Sequence, residues 1–179
     1  MACNTLTEIL KGCTSNAGGV SKVYLANADV IDYAGMVITN GQITSVGLTG
    51  GTGATEGFVE FQFNPNTSSF TENTTVSLEN SSTFYDQAVI IQLARREVAK
   101  RQALLAIAAG QPELVAIVKD SNGIYWAFGF GDDKVYLTGN EGGSGTAKTD
   151  LNGYTVTLTS QSAVPAYTVS ENQIAGLFI

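Results

Sequence analysis

At 179 residues, with 44% hydrophobic and 14% charged side chains, the chain has the composition of a globular protein and the length to bury a core, which excludes intrinsic disorder as its description. Histidine is absent, so imidazole-based zinc sites and Ser-His or Cys-His catalysis are excluded outright. Nine Lys and Arg against sixteen Asp and Glu give a net charge of −7, a balance that opposes gripping a polyanion and suits letting one pass.

The charge is unevenly laid out. Arg95, Arg96, Lys100 and Arg101 cluster, and outside residues 95–101 five cations face fifteen acids, a balance of −10. Because tight phosphate binding needs concentrated cations, this balance suits passing DNA without specific binding better than gripping it, if DNA is met at all. No apolar run approaches the ~18 residues that span a bilayer. Residues 1–16 (MACNTLTEILKGCTSN) carry neither a basic leader nor a continuous apolar stretch, so the reading is a protein made and kept in the cytoplasm, with no membrane partner. Both cysteines, Cys3 and Cys13, fall in this segment, and free thiols are the expectation in a reducing compartment.

Residues 1–19 read as a polar N-terminal arm with one apolar cluster, Leu6, Ile9 and Leu10, spaced for a helical turn. Residues 20–179 read as a single β-rich domain. Val20–Ala26 alternates as a strand does, and Met36–Thr39 and Gln42–Val46 flank Asn40-Gly41, the dipeptide suited to a type I′ hairpin because both turn positions need positive φ. Residues 47–57 (GLTGGTGATEG) hold almost nothing to bury and read as an exposed loop. Phe58–Phe63 sets Val59, Phe61 and Phe63 on one face and Glu60 and Gln62 on the other. Thr71–Glu79 alternates similarly.

Phe84–Leu93 reads as a strand running straight into a helix over 95–109 (RREVAKRQALLAIAA). Val98, Leu105 and Ala109 lie near helical spacing there, Glu97 and Arg101 form an i, i+4 pair, and Gly110 and Pro112 supply the stop. Four short strands follow at Leu114–Val118, Tyr125–Phe128, Lys134–Leu137 and Tyr154–Thr159. The fold class is therefore mainly β, an antiparallel β-sandwich or barrel flanked by one α-helix.

Catalytic and ligand motifs are incomplete. Gly142–Thr149 (GGSGTAKT) falls one glycine short of a phosphate-binding loop, and the segment after it reads as a strand where such a loop must open a helix. Asp120, Asn122, Asp132 and Asp133 lack the oxygen ladder of a calcium loop and fit Asx-Gly turns. The sequons at Asn66, Asn73 and Asn80 read as polar strand surface. No nucleophile elbow or Ser-x-x-Lys occurs, so the expectation is a non-enzyme with no cofactor and no metal. A carboxylate-dependent hydrolase stays open only because carboxylate spacing is spatial. A carbohydrate-binding β-sandwich module of a surface or fibre protein, using Tyr125, Trp126 and Tyr136, is the alternative reading.

The most specific stretch is Leu114 to Val169. Val115–Asp120, Gly123, Tyr125 and Trp126, then Thr146-Ala147-Lys148, Asp150–Leu158 and Val164-Pro165-Ala166, together with Ala99-Lys100-Arg101 in the helix, resemble tail proteins of bacteriophages of the Bacteroides and Flavobacterium groups. These belong to the wider tail-tube family of tailed phages and contractile injection systems. The resemblance covers roughly residues 58–170 and leaves open the tube itself or a related ring, terminator or connector subunit. It implies a β-sandwich with one helix whose hexameric rings stack into a virion tail tube that conducts DNA during genome delivery. The implied partners are other copies of the chain and neighbouring tail or connector proteins. On that reading Glu60 and Glu72 are candidates for the lumen, and Gly50, Gly51, Thr52, Gly53, Ala54, Thr55 and Glu56 for contacts between rings. Arg95, Arg96, Lys100 and Arg101 are candidates for a basic seam between subunits.

Overall fold

The computed structural model describes residues 8–50 and 56–177; Cys3, Leu6 and the loop residues Gly51–Thr55 lie outside these. The chain forms β1 (Val20–Asn27), a 3-10 turn at Ala28–Val30, β2 (Ile31–Thr39), β3 (Gln42–Leu48), β4 (Val59–Phe61), β5 (Ser69–Ser77) and β6 (Ser82–Ala94). The helix α1 (Val98–Gly110) precedes β7 (Leu114–Asp120), β8 (Tyr125–Phe128), β9 (Tyr136–Gly143), β10 (Gly153–Ser162), β11 (Tyr167–Val169) and the short α2 (Glu171–Ile174). The protein is mainly β, a sandwich of two sheets with one main helix and no closed barrel among the described residues.

One sheet has seven strands in the order β2-β3-β11-β8-β7-β1-β4, antiparallel except where β11 lies parallel to β3. The other has four, β5-β6-β10-β9, all antiparallel. The interior between them gathers Val23 and Leu25 of β1, Ala116 and Val118 of β7, Val89 and Ile91 of β6, and Val156 and Leu158 of β10. On its other face the seven-stranded sheet buries Tyr24, Val115, Ile117 and Ala127 against Ile43, Phe130, Ile174 and Leu177. With both faces covered, β7 can be the unbroken run Leu-Val-Ala-Ile-Val, whereas β10 (GYTVTLTSQS) alternates because only one of its faces is buried.

The hairpin forms as its turn requires, Asn40 at φ 51° and Gly41 at φ 75° joining β2 to β3. Gly153 opens β10 where any β-carbon would collide with the Leu93 carbonyl of β6.

Several expectations need correction. Gly47 and Leu48, read as the start of the exposed loop, belong to β3, and Leu48 is buried. The helix starts at Val98 and not at Arg95, because Arg95 sits in the left-handed region (φ 63°) with its N–H donated to the Asn152 carbonyl, and Glu97 is still extended. Its buried side is Leu104, with Lys100 and Ile107 half-buried, while Val98, Leu105 and Ala109 are exposed. Glu97 pairs with Arg95 (3.2 Å) and Lys100 (3.6 Å), and only its carbonyl meets Arg101. In β4, Val59 is exposed, since this three-residue strand edges its sheet; Phe58 faces the opposite way and stacks on Phe130.

Candidate assembly surface

The four-stranded sheet turns one face outward. Ser69, Thr71, Asn73 and Thr75 of β5, Asp86, Ala88, Ile90 and Gln92 of β6, Thr155, Thr157, Thr159 and Gln161 of β10, and Tyr136, Gly139 and Glu141 of β9 fall on that side of the pleat. Short side chains bond laterally here. Asp86 accepts from Thr75 (3.2 Å) and from the Gln161 amide (2.8 Å), and the Thr159 hydroxyl donates to Thr138 (3.4 Å). Across all four strands there is no Lys or Arg, while Glu72, Asp86 and Glu141 are acidic. The nine cations sit elsewhere, in the arm, on β1, around α1, on β7 and in loops.

Both edges of this sheet, β5 and β9, have one strand neighbour each among the described residues. The two are offset. The middle of β9, Gly139, stands level with Thr157, Ile90 and Ser69, the first residue of β5. The middle of β5, Asn73, stands level with Asp86 and Gln161, beyond the start of β9. The β5–β6 hairpin therefore overhangs the sandwich, leaving Val76, Leu78 and Phe84 exposed near its tip.

The other sequence candidates are dispersed. Glu60 lies on β4, at an edge of the seven-stranded sheet, paired with Lys22 at 3.3 Å. Glu72 lies on β5 but on the side facing the sandwich, where its carboxylate accepts from Gln87 (3.0 Å) and from the Ala166 N–H (2.6 Å). The residue stays exposed, while the oxygens of Gln87 and Ser160 level with it, like that of Ser68, are buried without a hydrogen-bond partner among the described residues. Gly50 and Glu56 are exposed where they flank the loop residues that lie outside the described ones. Arg95 and Arg96 precede α1, Arg96 lying 5.5 Å from the Tyr154 ring centre. Lys100 donates to the carbonyls of Ala94 (2.5 Å) and Arg95 (3.3 Å), so much of the basic cluster is engaged within its own chain, with Arg101 exposed on the helix.

The three aromatics of the carbohydrate reading do not share a platform. Tyr125 is buried, donating to Glu171 (3.2 Å) and lying under Lys119, whose pKa is raised by its hydrogen bond to that tyrosine. Trp126 is half-buried on the opposite face, its indole N–H donated to Asp120 (3.1 Å), in a cleft of about 380 Å³ that also takes in Phe70 and Glu72. Tyr136 stands exposed on β9. In the glycine-rich hairpin loop the Thr146 and Ala147 amides, which a phosphate would need, are taken by the Asp150 carboxylate at 2.8 and 2.7 Å. The Ala147 bond, then the Thr146 bond, holds the Asp150 carboxyl below its ordinary pKa. Among the described residues no group of three or more acidic or thiol side chains gathers as a metal would require.

Sequence reasoning did not single out the outward threonine face. Its signal was present as the Thr-x-Thr-x-Thr alternation of β10 and the absence of cations from four successive strand segments. No protein-family model matches the chain, and neither curated proteins nor solved structures yield a match.

Proposed function

We propose that the protein is a virion structural subunit that self-assembles into rings of a phage tail tube, with the four-stranded sheet lining a channel through which DNA passes. The observation that carries this reading is the sheet itself: two open edges, a polar outward face and no cation on any strand. Since the strands alternate in direction and are even in number, β5 and β9 run oppositely. Setting β9 of one copy beside β5 of the next continues the antiparallel ladder around a ring, and no edge is left over.

The offset of the two edges supports closure. A stagger of about four residues over four strands, from Ser69 to Asn73, at ~3.4 Å per residue and ~4.8 Å per strand, tilts the strands by about 35°, at the lower end of the ~35–45° of closed barrels. A flat sheet with level edges would stack into a ribbon. The overhanging β5–β6 hairpin, with Val76 and Leu78 uncovered, then lies against the neighbouring copy. A face with acids and no cations lets a polyanion slide, because neither counterion release nor ion pairing holds it. Asp86, Glu141 and the threonines thus replace Glu60 and Glu72 as the residues proposed to face the channel.

The test is mass photometry with negative-stain microscopy on the purified chain over a range of concentrations. Closed rings or tubes of one diameter are expected, and a protein that stays strictly monomeric at high concentration overturns the reading. Along a strand, successive N–H groups point to opposite sides. Of Asn140→Pro and Glu141→Pro, the one that removes an amide on the free edge of β9 is expected to keep the fold and abolish the rings.

A further inference from the structure

The N-terminal arm carries apolar surface that nothing among the described residues covers. Residues 8–19 are exposed throughout, and Ile9 and Leu10 are 95% and 76% exposed. The arm is nonetheless fixed at its base. The Ala17 N–H donates to the Asn122 side chain (2.9 Å), Asn122 donates back to Asn16 (2.9 Å) and Ala17 (3.1 Å), and Ser121 bonds to Gly19 (3.1 Å). It therefore leaves the fold at a defined place, the Val20 end of β1.

At the opposite end of β1 lies an apolar groove of about 410 Å³ between β4 and α1, walled by Leu25, Val59, Phe61, Ala103 and Ile107. It adjoins Glu56, where the glycine-rich loop returns. That loop, GTGAT over residues 51–55, offers no side chain large enough to fill the groove.

We infer that the groove receives Leu6, Ile9 and Leu10 of a second copy, docked as a single helical turn. Their i, i+3, i+4 spacing puts all three on one side of such a turn, the arrangement by which an amphipathic segment fills a groove. The copy's own Ile9 and Leu10 do not occupy it: both are exposed on an arm held at the Val20 end of β1, and the groove lies roughly 17–23 Å along that strand at ~3.3 Å per residue. Donor and acceptor thus lie at opposite ends of one molecule, and a contact between unlike surfaces at opposite ends propagates along an axis. The inference rests on the self-assembly reading, adding to it a connection between successive rings that is separate from the β5–β9 closure within a ring.

Two variants of the full chain test it. Ile9→Asp with Leu10→Asp alters only exposed arm residues, and Ala103→Glu places a charge in the groove wall on an exposed helical position. Both are expected to keep the wild-type unfolding temperature and to form single rings that fail to stack. In a second arm, a fluorescent peptide of residues 1–15 is titrated by anisotropy onto the Ile9→Asp, Leu10→Asp protein. Saturable binding is expected, at least tenfold weaker when Ala103→Glu is added. If the peptide does not bind, or binds equally well with the charge in the groove, the inference is overturned whatever the oligomeric state. If the wild-type protein forms no rings and the peptide binds as described, the ring reading fails and the docking stands.

Discussion

The two sheets bury apolar residues to different ends. In the seven-stranded sheet β1 and β7 are covered on both faces, and Tyr24, Val115 and Ile117 point one way while Val23, Ala116 and Val118 point the other. In the four-stranded sheet β10 sends Val156 and Leu158 inward and Thr155, Thr157 and Thr159 outward. The middle of the first sheet is interior and specifies the domain. The second is half interior and half surface, and its outward side is free of the packing constraint that fixes the rest.

Substitutions can break this contrast if it is wrong. Ile117→Ala, in the doubly covered sheet, is expected to destabilise the monomer by about 3 kcal/mol, as buried aliphatic truncations do. Thr157→Lys, on the outward face, is expected to change it by less than ~0.5 kcal/mol. Denaturant unfolding of the two variants gives both values, and equal losses would erase the distinction between the sheets. The same Thr157→Lys protein, once assembled, is expected to retain DNA at low salt where the wild type does not, which filter binding reads directly.

Trp126 sharpens the comparison at an intermediate level. Half-buried and bonded to Asp120, it is expected to cost about 2 kcal/mol on Trp126→Ala, less than the 3–5 kcal/mol of a core aromatic. A loss in the full core range would mean the cleft is closed in solution.

The smallest effect concerns the β9–β10 loop. The amides of Ala147 and Thr146 lower the Asp150 pKa, so the closed loop is favoured above the ordinary carboxylate pKa and opens only as pH falls through the lowered folded-state value. The Thr146 and Ala147 amide resonances are expected to titrate together with a midpoint below that of a solvent-exposed Asp. In Asp150→Asn that transition should vanish, with the global unfolding temperature unchanged.

Local signals in the sequence read well where the chain itself decides the geometry. Asn40-Gly41 fixed the β2–β3 turn, and β8 occupies Tyr125–Phe128 as its aromatic and apolar run indicates. Alternation also identified β5, which runs Ser69–Ser77 where Thr71–Glu79 was expected. What depended on distant partners was not legible. Arg95 belongs to the strand side because Asn152, across the sheet, takes its N–H, and nothing in RREVAKRQALL announces that bond. Leu104 rather than Leu105 enters the core because the sandwich meets the helix on that side. The parallel β11 is three residues long and exists only because β3 and β8 leave room between them. Likewise, Glu60 and Glu72 share a strand-like polar spacing but end up on different sheets, which only topology reveals.

The cysteines add a practical consequence. From Val20 onward the chain contains none, and the two it has, Cys3 and the exposed Cys13, bracket Leu6, Ile9 and Leu10 in the arm's sequence. Thiol chemistry on the unaltered protein therefore modifies the arm and leaves both sheets untouched. The rate at which maleimide labels the protein becomes a reporter of arm burial alone, legible in the native sequence without engineering a single probe.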